Sequence, residues 1–168
     1  MIVSNSSGLI HLTKLSKTSC LRDYAEEVTI PEAVHLEVVE TGKQEGYAEA
    51  SLIENFERDG WVRVQPLGPK WKRMAHDVAN TLGLGEAQAI ALAKQMRSPL
   101  LIDDSHGRRI AQYYRVDTLS TLGIMLEFLL AGKITREEYA ANVRRFSSQA
   151  WIGADVVQEF LRRADTSE

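Results

Sequence analysis

Short apolar runs alternate with helical segments along most of the chain, and that alternation restricts the fold more than any other feature. "MIVS" stops at Asn5, Ser6 and Ser7, and "GLIHLTKLSK" then sets Leu9, Leu12 and Leu15 at helical spacing. A β-branched run from Val28 to Ile30 is followed by Pro31 at a helix start, Glu32 in the first turn and Val34 and Val38 one turn apart. Gly42 is expected to end that helix. "GYAEASLIENFERDG" reads as a helix closed by Asp59-Gly60, and "WVRVQP" as an alternating strand stopped by Pro66. A helix is expected from Lys70 to Leu82, broken at Gly83 and Gly85 before the alanine-rich helix former "EAQAIALAKQM". "SPLLIDD" is the clearest buried strand, "GRRIAQYYR" a helix after it and "VDTL" a weak last strand, with helix from Ser120 onward. Short strands separated by helices predict an α/β fold, an α/β/α sandwich of about four to five short parallel strands with helices on both faces. Such a sheet carries its functional groups at the carboxyl ends of its strands.

The 168 residues, 44% of them apolar, suit one domain with a sizeable core, with no internal repeat and no interdomain linker. A net charge of -3 and a pI near 5.9 mean that a polyanion must be held by a local basic patch or through metal ions. The lone Cys20 cannot form an internal disulfide, and no charged-then-apolar leader precedes the first strand, so a reducing, cytoplasmic setting is expected. No apolar run approaches the roughly 20 residues of a membrane-spanning helix.

Polar residues at four places in the chain, five residues in all, fall where such a sheet would gather them. Asn5 follows the first strand, Glu37 lies at the margin of the second helix's apolar face, Glu86 opens an almost wholly apolar helix, and Asp103 and Asp104 end the late strand. Each has a structural alternative. Asn5 and one of the aspartates suit helix caps, Glu86 suits a helix N-terminus, and Glu37 suits a solvated surface. As a set they can converge above one sheet edge. Basic groups stand nearby. Arg108 and Arg109 follow the aspartate pair, and Lys70, Lys72 and Arg73 surround Trp71, an arrangement suited to phosphates and a stacked base but equally to a solvated helix face. His106, two residues beyond Asp104, is placed to shuttle a proton or simply to be solvated. "GLGEAQ" lacks the third glycine and the preceding strand of a dinucleotide loop, the four histidines lack zinc spacing, and no G-x-S-x-G is present.

In "IVSNSSGLI", "IPEAVHLEVV", "LGLGEAQAIALA", "LLIDDSHGRR" and "TLSTLGIMLEFLLAGKI" the chain resembles PIN-domain proteins, specifically the PIN-like domain-of-unknown-function group found among VapC-type toxins. The likeness runs from residue 1 to about 135, implying a PIN-like domain over 1–135 and a C-terminal helical extension of the same domain over 136–168. The resemblance implies clustered acids that hold Mg²⁺ or Mn²⁺ and cleave RNA. Carried over, Asn5, Glu37, Glu86 and Asp104 form the catalytic set, and Glu86, Asp104, Asp103 and Glu37 the metal ligands. Asn5 departs from the aspartate usual in active members and removes one negative charge. Ser6, Ser7, Arg108 and Arg109 would contact the substrate. The implied partners are RNA, a small cognate antitoxin and a second copy of the chain. Two alternatives stand beside this reading: a catalytically weakened PIN-like RNA- or protein-binding module, and a receiver-like regulator phosphorylated at Asp103 or Asp104. The second loses ground because Asn5 occupies the position after the first strand where receivers cluster their acids.

Overall fold

The computed structural model describes residues 1–15, 18–150 and 152–165. Five strands, β1 (Ile2–Ser4), β2 (Val28–Ile30), β3 (Val62–Val64), β4 (Leu100–Leu101) and β5 (Thr118–Leu119), form one sheet in the order β3-β2-β1-β4-β5. All four pairings are parallel. Parallel neighbours require crossover connections, which is why helices separate the strands and cover both faces. Strand alternation divides the core accordingly. Ile2 and Leu101 pack on one face with α1 (Ser6–Lys14), α5 (Ala48–Arg58), α9 (Thr121–Leu130) and α10 (Arg136–Ala150). Val3, Leu100 and Ile102 pack on the other with α6 (Pro69–Val78), α7 (Leu84–Met96) and α8 (Ser105–Tyr113). The remaining helices are α2 (Thr18–Tyr24), α3 (Glu32–His35), α4 (Gly42–Gln44) and α11 (Ala154–Asp165). The α/β sandwich with a parallel sheet is the architecture that the alternating pattern predicts.

Two local expectations are corrected. Gly42 does not end the second helical region: it has helical dihedrals, and the chain turns instead at Gly46, whose φ of 76° suits a residue without Cβ. Between α3 and α4, Leu36–Thr41 forms a π-helical segment. Val38 and Val39 of this segment are both buried. The helix expected to reach Leu82 stops at Val78, leaving 79–82 as a connection over the sheet's carboxyl edge. Among the described residues, no helix is long and apolar enough to cross a membrane.

Strand order reverses around β1, whose neighbours are β2 on one side and β4 on the other. This opens a crevice at the carboxyl ends of β1 and β4, where open α/β sheets bind ligands.

Candidate active site at the carboxyl edge

Three of the strands at this edge run directly into helices, and each helix is capped by a polar side chain from the junction. Asn5, buried and tied to β4 by its own N–H on the Leu101 carbonyl (3.1 Å), accepts from the Gly8 N–H through Oδ1 (3.1 Å) at the start of α1. Asp104 Oδ2 accepts from the Gly107 N–H (2.5 Å) at the start of α8, and Ser120 Oγ from the Gly123 N–H (3.0 Å) at the start of α9. The capping expected for Asn5 and for one aspartate therefore occurs, and it brings the positive ends of several helices to one edge. α7 adds a fourth N-terminus and carries Glu86 in its first turn.

The acids assemble around these junctions. Glu37, carried by the π-helical segment, accepts from Ser6 Oγ through Oε2 at 2.6 Å. Its approach depends on Gly85: a Cβ there would stand 2.8 Å from Glu37 Oε2. Glu86 titrates above the usual carboxylate range, first because burial penalises its charge and then because Asp104 and Glu37 repel it. A backbone hydrogen bond at Gly83 and the nearby His106 act in the opposite sense. Asp104 and Glu37 thus each act on Glu86 across the crevice, as like charges do.

Two adjoining hollows share Ser7, Gly83 and Glu86. One, of about 530 Å³, is lined by Asn5, Ser6 and Glu37; the other, of about 790 Å³, by Asp103, Asp104, His106 and Arg108. Of the residues singled out in the sequence, Asn5, Ser6, Ser7, Glu37, Glu86, Asp103, Asp104 and Arg108 meet here, while Arg109 is exposed on α8 and lines neither hollow. Asp103 lies at the rim in a different role. Its Oδ1 accepts from the Thr121 N–H (2.7 Å), and its Oδ2 accepts from Thr121 Oγ1 (2.7 Å) and pairs with His11 Nδ1 (2.9 Å). The His11 ring stands edge-on to Phe146 at 4.9 Å. His11 has no zinc-spaced partner in the sequence and so gives no metal signal there. The available signal was its place four residues after Ser7, which sets both side chains on one face of α1.

The donor set suits a hard divalent cation in chemistry, being carboxylate oxygens with a neutral amide oxygen. Glu37 Oε1 and Asp104 Oδ1 have no protein donor among the described residues, whereas both oxygens of Asp103 are engaged. Among the described residues no three Asp, Glu, His or Cys side chains close on one point. A cation held here would therefore keep several waters, as Mg²⁺ does.

No curated protein matches the chain. The family model DUF3368, described as a PIN domain, matches residues 1–166. PIN domains are generally nucleases that use divalent metals. The match covers almost the whole chain and coincides with the parallel sheet and the acid-lined edge, and the protein belongs to the PIN-domain family.

Proposed function

We propose that this PIN domain is a metal-dependent endoribonuclease that hydrolyses RNA phosphodiesters, acting in the cytoplasm as the toxin of a type II toxin–antitoxin pair. A small cognate antitoxin would restrain it, and the chain would associate with a second copy. The observation that supports the catalytic part is the placement of Glu86 on the wall shared by the two hollows, with Glu37 lining one and Asp104 the other, so that both carboxylates repel a half-buried Glu86, a repulsion that a divalent cation would relieve. Glu86 and Asp104 are the principal ligands of Mg²⁺ or Mn²⁺, and Glu37 binds directly or through water. Asp103 serves the site by orienting its neighbours rather than by ligation, because Thr121 and His11 use both its oxygens.

When bound, the cation polarises the phosphoryl group and lowers the pKa of water so that hydroxide is available near neutral pH. The chain's own groups do the rest. Asn5 fixes the start of α1 and holds Ser7, whose Oγ donates to Asn5 Oδ1 at 3.2 Å, at the junction of the two hollows. Ser6 fixes Glu37. Arg108 brings positive charge to the wall of the larger hollow, Arg109 extends it along α8, and His106 stands beside Glu86 where a leaving oxygen can be protonated.

A weakened, RNA- or protein-binding module is the second reading, favoured by the fact that Asn5 Oδ1 already accepts from two donors. Cleavage of a fluorescent single-stranded RNA with Mg²⁺ or Mn²⁺ separates the two. The nuclease reading expects activity that falls sharply in Glu86→Gln and Asp104→Asn and rises in Asn5→Asp. Wild-type protein without metal-dependent cleavage supports the module. Co-purification with the product of a neighbouring small reading frame tests the toxin role.

A further inference from the structure

The cations of this protein are divided between the two faces of the sheet. Away from residues 69–117, Lys14, Arg22, Lys43, Arg58, Arg63 and Lys133 all sit in ion pairs with acids. Arg162 and Arg163 on α11 pair with Glu159, whereas Arg144 and Arg145 on α10 have no ion pair among the described residues. Within residues 69–117, which build the α6–α7–α8 face, none of the eight Lys and Arg is in an ion pair among the described residues. This stretch has only five Asp and Glu, so it carries an excess of three positive charges in a chain of net charge -3. The acids at the crevice account for three of those five.

Unpaired cations held on one face repel one another, and five of the eight, Lys70, Lys72, Arg73, Arg108 and Arg109, fall on two rails that end at the acid-lined pocket, while Lys94, Arg97 and Arg115 lie at the carboxyl ends of α7 and α8. α8 begins at Asp104, sends Arg108 into the larger hollow and carries exposed Arg109 and Tyr113 four residues apart on one stripe. α6 ends where Ala79, Asn80, Thr81 and Leu82 line the same hollow, and starts at Lys70, Trp71, Lys72 and Arg73, about 15 Å back along its axis. Lys70 Nζ stands 4.9 Å over the partly exposed Trp71 ring, and Tyr113 is 82% exposed. Alternating cations and accessible aromatic rings match a single-stranded nucleic acid, whose phosphates need charge and whose bases need flat apolar surfaces. An acidic protein would be drawn by the same charge but leaves the exposed rings unexplained.

We infer that the α6–α8 face is the track along which single-stranded RNA is led to the crevice. Its direction toward the acids rests on the nuclease reading; the binding itself does not. The test measures anisotropy of a fluorescein-labelled single-stranded RNA about twenty nucleotides long on full-length protein carrying Glu86→Gln to keep the RNA intact. Lys70→Ala, Lys72→Ala and Arg73→Ala combined are expected to weaken binding about tenfold or more and to reduce the slope of log affinity against log salt by about 2. Tyr113→Ala is expected to weaken binding several-fold, roughly the loss of one stacked base, with the salt slope unchanged. A charge-matched control, Lys43→Ala, Arg58→Ala and Lys133→Ala combined, is expected to leave binding as it was. Equal loss in the control, or none in the α6 and Tyr113 variants, overturns the track. So does displacement of polyglutamate, but not RNA, by the α6 substitutions. Cleavage in the Glu86 background restored to wild type reports on the other reading: a track variant that binds poorly while wild type never cleaves keeps the track and removes the nuclease. Cleavage of long RNA untouched by these substitutions does the reverse.

Discussion

Asp103 and Asp104 are adjacent, yet they stand in two regions of the crevice governed by opposite electrostatics. At the Asp103 corner the carboxylate is fully hydrogen-bonded: Thr121 donates from its backbone and its hydroxyl, His11 adds a third partner, and the pair is largely buried. On the other side Asp104 and Glu37 flank Glu86, whose pKa is raised first by burial and then by those two acids, with no Lys or Arg ion pair on any of the three among the described residues. The first arrangement stabilises a fold. The second carries a modest cost at half-buried Glu86, flanked by the exposed Glu37 and Asp104, and is relieved by a proton or a cation. The contrast distinguishes two kinds of carboxylate that look identical in "LLIDDSHGRR": one holds α9 and α1 onto the sheet, the other holds charge in readiness for a ligand.

Substitutions can break that contrast. The largest effect on stability is expected at the Asp103 corner. Asp103→Ala leaves the Thr121 N–H and the His11 ring without their acceptor and should cost about 2–3 kcal/mol, read as a lower midpoint in urea denaturation. A loss no larger than that of an exposed residue would show that the corner is not structural. Next is Gly85→Ala, whose new Cβ would meet Glu37 Oε2 at 2.8 Å. Because that oxygen is the tip of a flexible, exposed side chain, Glu37 should swing away from Ser6 at a cost of at most about 1.5 kcal/mol, the lost hydrogen bond, and any metal-dependent cleavage should fall with it. Unchanged cleavage would remove Glu37 from the working set.

A smaller effect lies away from the crevice, where α10 and α11 meet. Tyr139 donates its hydroxyl to the Phe160 carbonyl at 3.1 Å, and burial pushes its pKa up to about 12, opposed by Arg163. Because the folded value exceeds the ordinary value near 10, this contribution is present below pH 10 and is lost as pH rises through about 12. Tyr139→Phe should cost about 1 kcal/mol at neutral pH and flatten the decline of Tm in alkali. A decline of the same steepness in the variant would assign it to other groups.

The smallest change has the opposite sign. Glu86 has a raised pKa in the folded state, so its contribution is fully present at acid pH and is lost as pH rises through the folded value. Replacing it with Gln removes a half-buried charge and its repulsion by Asp104 and Glu37, and should stabilise metal-free protein at neutral pH by roughly a few tenths of a kcal/mol after solvent screening, read as a slightly higher Tm. A fall in Tm would mean that Glu86 is structurally required, and the distinction between the two regions would narrow.

The alternation of short apolar runs with helices sufficed to indicate a parallel sheet, because a strand buried on both faces must be apolar throughout and its parallel neighbour can be reached only by a crossover. The chain positions of Asn5, Glu37, Glu86, Asp103 and Asp104 were legible for the same reason: polar residues immediately beyond buried strands or opening buried helices have few places to go but the sheet edge. Their allocation was not legible. Whether Asp103 or Asp104 meets the other acids depends on β5 and α1 delivering Thr121 and His11 to one side, contacts spanning 18 and 92 residues of sequence. The π-helical turn that carries Glu37 leaves little mark in a local pattern, since one widened turn differs from an α-helix by a single residue of register. Charge separation between the faces likewise needed the tertiary structure, because a cation's partner is set by which helices pack together. The sequence alone thus determined which groups reach the carboxyl edge. Only the folded chain decided which of them are fully hydrogen-bonded there, because such bonds depend on distances of about 3 Å between residues that local periodicity does not relate.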